Sequence, residues 1–170
     1  MAAPRFLNIV LGRLKQIATI ATSAGAGDAE KIPSTDSSGK LDISFMPSGV
    51  GNTKSITTRE ALSAGDMGNI HIASGVKARK ADNTSAAKYA THFVISSFSS
   101  GASALLYPLG SINTGVSGLT AGTEYWLGAT GGLVIAGSLP SSAGNLHQFI
   151  GVALSATELG TVSSPPVELV

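Results

Sequence analysis

The stretch Leu119–Gly137 reads LTAGTEYWLGATGGLVIAG, and its pattern is that of a β-hairpin. Two apolar runs flank the pair Gly131-Gly132, and the first run carries Trp126, the single tryptophan of the chain. Glycines supply the positive φ angles that a tight turn requires, while aromatic and β-branched residues suit a pleated, half-buried surface. The stretch therefore predicts two antiparallel strands joined by a glycine turn, with Trp126 in the core of the hairpin.

A similar order of signals occurs about 57 positions earlier. That offset aligns Leu62–Gly65 (LSAG) with Leu119–Gly122 (LTAG), and one further slip aligns Phe93-Val94 with Phe149-Ile150. Each copy reads as an entry turn, a hairpin, a loop of small residues and a strand. Self-similarity at a fixed period predicts two copies of one supersecondary unit. The alternative is chance, because the chain is rich in Gly, Ala and Ser.

Working outward, the whole chain beyond Val50 consists of short strand patterns separated by turns. Strands about ten residues apart, with almost no helical periodicity, predict a mainly β fold, an antiparallel β-barrel or sandwich domain over residues 50–170. The predicted strands cover residues 53–59, 66–73, 76–81, 91–97, 102–109, 124–129, 133–137, 146–155 and 166–170. The predicted core residues are Ile56, Ile70, Ile72, Phe93, Ile95, Leu105, Tyr107, Tyr125, Leu127, Val134, Phe149 and Val152.

Residues 1–49 lack this strand rhythm and are predicted to be a separate N-terminal helix and extended arm. Apolar residues at spacings of three and four predict a helix from Pro4 to about Thr22. Its stripe, predicted to be an interface, consists of Leu7, Val10, Leu14 and Ile17. Three partners for this stripe are open: the chain's own β-domain, two other copies in a short coiled coil, or another protein.

The segment from Asp28 to Pro47 has the composition of an extended arm, with isolated apolar residues instead of a contiguous run. Such residues suit pockets on a neighbouring protein, and the predicted anchors are Ile32, Leu41 and Phe45. Asp36, Ser38 and Asp42 resemble part of a calcium loop but lack the closing glutamate, so a solvated turn is the preferred interpretation.

Composition limits the classes of partner. Charged residues are 12% of the chain and the net charge is +1, so no strong field attracts nucleic acid or anionic lipid. The densest basic run, Lys77–Lys80, has the character of a protected edge strand. A surface with so little charge repulsion favours self-association. Arg13 and Lys15 interrupt the first apolar run, which predicts an untargeted, soluble protein with no membrane partner.

No catalytic or metal-binding pattern stands out. The chain has no cysteine, and His71, His92 and His147 each occur singly, without a second ligand at the usual spacing. No Gly-x-Ser-x-Gly elbow opens a helix, and the acidic residues form no evident pair. The expectation is a protein that is not an enzyme and has no cofactor, metal or small-molecule substrate.

Four segments together resemble a group of tailed-bacteriophage virion proteins, the small decoration or cement proteins of capsids. They are AEKIPSTDSSGKLDISFMP, ALSAGDMGNIHIASGVKARKAD, GLTAGTEYWLGATGGLV and FIGVALSATEL. Similar modules occur in phage head fibres and tail fibres. The similarity is strongest from Leu62 to Leu159 and consists of turn glycines and strand rhythm.

This resemblance implies a viral structural protein made in the host cytoplasm and located on the outer capsid surface. It implies a homotrimer that binds the major capsid protein and stabilises the shell, with no catalytic residues to transfer. The alternative function is a head-fibre or tail-fibre module that binds a host receptor or glycan. That alternative requires exposed aromatic side chains in a groove.

Overall fold

The computed structural model describes residues 5–10, 13–29, 31–42, 45–46 and 53–170, with side chains described from Ala18 onward. The chain divides into two compact units, Met1–Val50 and Gly51–Val170. The described structure is mainly β, and its helical segments are three-residue 3₁₀ turns at Ala26–Asp28, Ala86–Lys88, Ala129–Gly131 and Ala136–Ser138. Among the described residues, no helix has the length and apolarity needed to cross a membrane.

The N-terminal unit begins with a hairpin, which corrects the predicted helix. Strand β1 is Arg5–Val10 and strand β2 is Arg13–Ala18, and the two are antiparallel. The predicted stripe is distributed over both strands, with the Cα pairs Leu7↔Gln16, Val10↔Arg13, Ile9↔Leu14 and Phe6↔Ile17. The reason lies in local preference: a helix over this segment would hold Gly12 in its interior, and Ile9, Val10 and Ile17 are β-branched.

The rest of the described N-terminal unit is held by local backbone contacts. Ile20 forms a parallel bridge with Pro33, donating its N–H to Ile32 O at 3.0 Å. Asp36 forms a turn, because its Oδ1 accepts the N–H groups of Ser38 (2.8 Å) and Lys40 (2.9 Å). These bonds, with that from Lys40 the stronger, lower the pKa of Asp36. The carboxylate is thus engaged with its own backbone, as the solvated-turn interpretation predicted.

The second unit contains two five-stranded antiparallel sheets and a short two-stranded one. The first sheet has the order β3-β7-β6-β4-β5, the second has the order β10-β9-β12-β13-β8, and β11 pairs with β14. The bounds are β3 Lys54–Thr57, β4 Met67–Ile72, β5 Val76–Lys80, β6 His92–Phe93, β7 Ser103–Pro108, β8 Ile112–Asn113, β9 Glu124–Leu127, β10 Leu133–Val134, β11 Leu146–His147, β12 Phe149–Ser155, β13 Glu158–Thr161 and β14 Val167–Glu168.

The two sheets repeat one topology. Strand β4 begins at Met67 and β9 at Glu124, and β5 begins at Val76 and β10 at Leu133, so both offsets are 57 residues. Written from the hairpin outward, the orders β5-β4-β6-β7-β3 and β10-β9-β12-β13-β8 correspond strand for strand. The structure therefore contains two copies of one supersecondary unit, as the sequence offset predicted. We call residues 53–109 the first repeat and residues 110–166 the second repeat.

Matching hydrogen bonds support the correspondence. In the first repeat Gly65 donates to Val94 O at 2.8 Å, and the Val94 N–H donates back to Asp66 O. In the second, Gly122 donates to Ala153 O at 2.8 Å, and Ala153 donates back to Thr123 O. In both repeats the entry turn is therefore hydrogen-bonded to the segment that follows the hairpin, at Val94 just after β6 and at Ala153 in β12.

The main hydrophobic core lies where the repeats meet. It draws buried residues from both repeats: Met67, Ala81, Ala90 and Phe93 from the first, and Val116, Tyr125, Leu127, Ile150, Ala153 and Leu159 from the second. A smaller core, formed by Leu62, Ala78, Val94, Ala104 and Leu106, belongs to the first repeat alone. Of the predicted core residues, Phe93, Tyr125 and Leu127 are buried, whereas Ile72, Leu105 and Val152 are exposed.

The first sheet curls around its small core but does not close into a barrel. Thr58, directly after β3, forms one parallel bridge with Ala78 of β5, so the two edges of the sheet meet at a single point. One bridge is not a ladder, and within the described residues no such bridge joins the edge strands β8 and β10 of the second sheet. Barrel closure, one of the two predicted architectures, is not found.

The predicted hairpin exists as β9 and β10, but its turn differs from the prediction. The register pairs Leu127 with Leu133 and leaves a five-residue loop, in which Thr130 (φ 51°) and Gly131 (φ 84°) have positive φ. Gly132 has φ −78° and ordinary geometry. The loop is tied to the first repeat, because Gly131 donates its N–H to Ala81 O at 2.6 Å.

Candidate interaction surfaces

An exposed apolar surface lies on the second sheet. In β12, β13 and β8, the register aligns Val152, Gly160 and Ile112 in one row across three strands. Ile112 and Leu154 are 53% and 55% exposed, and Val152 and Val162 are exposed too. Gly160 adds no side chain, and a Cβ there would lie 3.5 Å from Leu154 Cδ2, so Leu154 lies over it. We call Ile112, Val152, Leu154 and Val162 the apolar face.

The apolar face is bordered by the aromatic cluster of the hairpin. Glu124 of β9 is the Cα partner of Val152, and two residues further on Trp126 pairs with Phe149. The Trp126 ring contacts Phe149 edge-on, with centroids 5.4 Å apart, and lies 6.4 Å from His147. Trp126 is half-buried, and its Nε1 is buried without a hydrogen-bond partner among the described residues.

The position of Trp126 corrects the prediction that it shares a core with its neighbours. Tyr125 and Leu127 are buried in the main core, and alternation along a strand turns Trp126 to the opposite side of the sheet. The hydroxyl of Tyr125 accepts the N–H of Thr120 at 3.0 Å. Trp126, which was predicted to lie in the core of the hairpin, therefore lies at the border of the apolar face.

A second exposed apolar pair lies at the tip of the β4–β5 hairpin. Ile72 and Val76 are Cα partners there, and Ile72 is 86% exposed. The pair is small and isolated compared with the apolar face. It provides a matched site for control substitutions.

A cleft of about 380 Å³ lies between the repeats and is lined mainly by turns. Gly65 and Gly115 meet backbone to backbone: a Cβ on Gly115 would lie 2.6 Å from Gly65 N. Asp66 borders the cleft, and its Oδ2 accepts the Ser63 N–H (2.8 Å) and forms an ion pair with Lys80 (3.0 Å). Tyr125, the aromatic residue in the lining, is 8% exposed, so the cleft offers little ring surface to a ligand.

The predicted interface residues of the N-terminal unit lie in different environments. Leu7 and Val10 are in β1, and Leu14 and Ile17 are in β2, so they do not form a helical seam. Ile32 and Phe45 are half-buried, and Leu41 is 46% exposed. Leu41 is therefore the predicted anchor with the most side chain available to a partner.

The three histidines lie on separate strands, β4, β6 and β11, and the structure does not bring them into one cluster. Burial lowers the pKa of His71 and His92, and the charges of Arg79 and Arg59 lower the pKa of His71 further. The Nε2–H of His147 donates to Pro140 O at 2.7 Å. Within the described part of the chain, no three His, Asp or Glu side chains are placed to hold a metal ion.

Sequence reasoning predicted none of the four members of the apolar face as interface residues. Ile112 and Val162 lie in or beside strands that were not predicted, Leu154 was given no role, and Val152 was wrongly predicted to be a core residue. A usable signal is present in GVALSATELGTV, residues 151–162. Apolar residues occur there in both phases of the two-residue period of a strand, so one set faces the core and the other faces outward. No model of a known protein family matches the chain, and no curated protein or solved structure matches it.

Proposed function

We propose that this protein is a structural component of a tailed-bacteriophage virion. In this proposal it decorates the outer capsid surface as a homotrimer, binds the major capsid protein and cements the shell. Its second unit is then a two-layer β-sandwich in which the sheets pack through the shared core. The sequence resemblance motivates the proposal, and the apolar face is the structural observation that supports it.

The occupant that we propose for the apolar face is a second copy of the chain. The second repeat has no Lys or Arg, and its acidic residues are Glu124 and Glu158 at the margins of the face. Packing between copies would therefore bury apolar side chains without removing water from buried ions, which is costly.

The N-terminal unit is the proposed attachment to the shell. Leu41 and Met46 are both exposed, at 46% and 41%, and Ile32 and Phe45 are half-buried nearby in sequence. Three copies of such an arm on one trimer would bind together, so each contact acts at high effective concentration and weak individual contacts suffice.

The first experiment tests self-association by light scattering coupled to size exclusion. Leu154→Glu places a charge in the apolar face and should convert a trimer to monomers, while Ile72→Glu places the same charge on the hairpin tip and should leave the trimer intact. Wild-type protein that is monomeric at tens of micromolar, roughly the range where a moderate interface is occupied, would contradict the proposal.

The second experiment separates assembly from attachment. Removing Met1–Ser48 should leave a folded trimer that no longer coats particles, measured by cosedimentation with undecorated capsids. A truncated chain that still coats particles would move the attachment site to the second unit. A truncated chain that becomes monomeric would assign the trimer contacts to the N-terminal unit.

The fibre-module alternative is less well supported. It needs a groove with exposed aromatic rings. The ring of Tyr125 in the cleft between the repeats is buried, and Trp126 and Phe149 are half-buried against each other at the border of the apolar face. A receptor or glycan that binds purified protein with loss of binding in cleft variants would favour it instead.

A further inference from the structure

A second cleft, of about 360 Å³, opens on the first repeat and is lined by four charged residues. They are Arg59, Glu60, Arg79 and Lys88. Three are cations, and they come from separate places in the chain: the segment after β3, strand β5 and the 3₁₀ turn Ala86–Lys88. Folding therefore gathers positive charge that the sequence keeps apart.

The guanidinium of Arg79 is held in a fixed orientation by neutral acceptors. Its Nε donates to Asn69 Oδ1 at 2.8 Å, and its Nη2 donates to Ala87 O at 2.7 Å. Asn69 is itself buried and donates to Tyr89 O at 2.8 Å. Because none of these partners is charged, the Arg79 group is oriented without neutralising its positive charge. A pre-organised guanidinium loses little entropy when it binds an anion.

Among the described residues, none of the three cations forms an ion pair, and with Glu60 counted the four lining side chains carry a net charge of +2, three positive and one negative. The two ion pairs of the described residues are Lys31–Asp28 and Lys80–Asp66. Glu60 uses its Oε1 to accept the Lys80 N–H at 3.0 Å. Lys88 interacts electrostatically with Asp82, but that carboxylate accepts the N–H and O–H of Thr84. Like charges gathered in this way repel each other, and a bound anion would relieve the repulsion.

His71 reports the same positive environment. Its Nε2 lies 3.4 Å from Arg59 Nη1, and Lys77 is its Cα partner on β5. Burial lowers the pKa of His71, with further lowering by Arg79 and then Arg59, while Glu60 opposes these effects. An anion placed between the guanidinium groups would raise that pKa, which gives the site a local reporter.

We propose that this cleft binds a small oxyanion, a phosphate or a carboxylate, through Arg59, Arg79 and Lys88. Guanidinium groups match the geometry of both anions, and the lysine adds a point charge. The inference concerns the free protein and does not depend on the proposed virion role.

The test is an NMR titration of the full chain with inorganic phosphate and, in a second arm, with succinate, both at constant ionic strength. We expect saturable shifts at the Arg79 side-chain Nε–H and the Lys88 amide, together with a raised pKa of His71. The stronger arm identifies the preferred anion.

Variants separate a site from general charge attraction. Arg59→Gln should weaken binding by about fivefold or more, while Lys54→Gln removes one positive charge from exposed β3 outside the cleft and should change it by less than about twofold. Equal weakening by both variants would overturn the proposal. So would the absence of saturable shifts with either anion.

Discussion

The two repeats share one topology but differ in the distribution of charge. The first contains six basic residues, Lys54, Arg59, Lys77, Arg79, Lys80 and Lys88, and the second contains none. At the corresponding edge, β5 reads VKARK over residues 76–80, whereas residues 133–137 read LVIAG. Both β5 and β10 lie at sheet edges. Basic side chains discourage another chain from pairing with β5, the longer edge strand, and β10 is too short to pair extensively. The same topology therefore presents two different edges.

The repeats also differ in how they cover apolar residues. The first sheet curls and forms a small core of its own, whereas the second leaves Ile112, Val152, Leu154 and Val162 exposed. The same topology therefore carries a cationic cleft in the first repeat and an apolar face in the second.

The largest effect is expected where the repeats meet. Gly115→Ala would place a Cβ 2.6 Å from Gly65 N and 2.8 Å from Ile95 Cα, both backbone atoms that cannot yield cheaply. We expect a loss of about 3 kcal/mol or more in the free energy of unfolding, measured by urea denaturation. Gly137→Ala is the matched control, since its Cβ would meet nothing within 4 Å. Equal stability of both variants would show that this contact is loose.

The second effect belongs to the second repeat alone. Trp126→Ala removes a half-buried ring that packs on Phe149, and should lower stability by about 2 to 3 kcal/mol, below the range for a fully buried ring. Thermal unfolding followed by far-UV circular dichroism measures it. If the variant melts like wild type, the aromatic cluster contributes recognition and not stability.

A third substitution tests a polar clamp between the repeats. Gln148 is 1% exposed, and its Nε2 donates to Ala90 O at 2.9 Å while its Oε1 accepts the Ala90 N–H at 2.7 Å. Gln148→Leu leaves both backbone groups of Ala90 unpaired and should cost about 2 kcal/mol. Hydrogen exchange at the Ala90 amide should accelerate in parallel. Unchanged protection of that amide would contradict the clamp.

The smallest effect is a pH dependence confined to the first repeat. The pKa values of His71 and His92 are lowered on folding, so below the unfolded value the unfolded chain binds more protons than the folded chain. Stability should therefore fall as pH decreases through about 6.5 and be regained on raising it. Urea titrations at pH 7.5 and 5.5 measure the difference. Replacing both histidines by glutamine should reduce it, and an unchanged difference would assign it to other groups.

Much of the strand content was predictable because alternation and turn residues are local signals. Strand β9 begins at Glu124 and β5 at Val76, as predicted. Strand β8 was missed because two residues are too few to show an alternating pattern. Strand β13 was missed because its sequence ELGT looks like a turn, and only its pairing with β12 makes it a strand. The N-terminal hairpin was predicted as a helix because apolar residues at spacings of three and four fit the helical period, whereas the β-branched Ile9, Val10 and Ile17 favour strands.

The surfaces were less predictable than the strands, since they depend on which phase of a strand faces inward. Val152 and Leu105 are as apolar as buried residues, and only the register assigns them to the exposed side. The cationic cleft combines Arg59 with Lys88 across 29 positions, a proximity that no local pattern indicates. In the sequence, the run Lys77–Lys80 indicated only an edge strand protected by charge, and not a cationic cleft.

The shared core has a consequence for the order of folding. Met67 and Phe93 of the first repeat are buried against Leu127 and Ile150 of the second, so the first repeat cannot complete its packing before the second has been synthesised. During translation it would remain partly open until the C-terminal strands emerge. We therefore expect residues 51–170 to unfold in one cooperative transition, as a single domain does, even though they contain two copies of one plan.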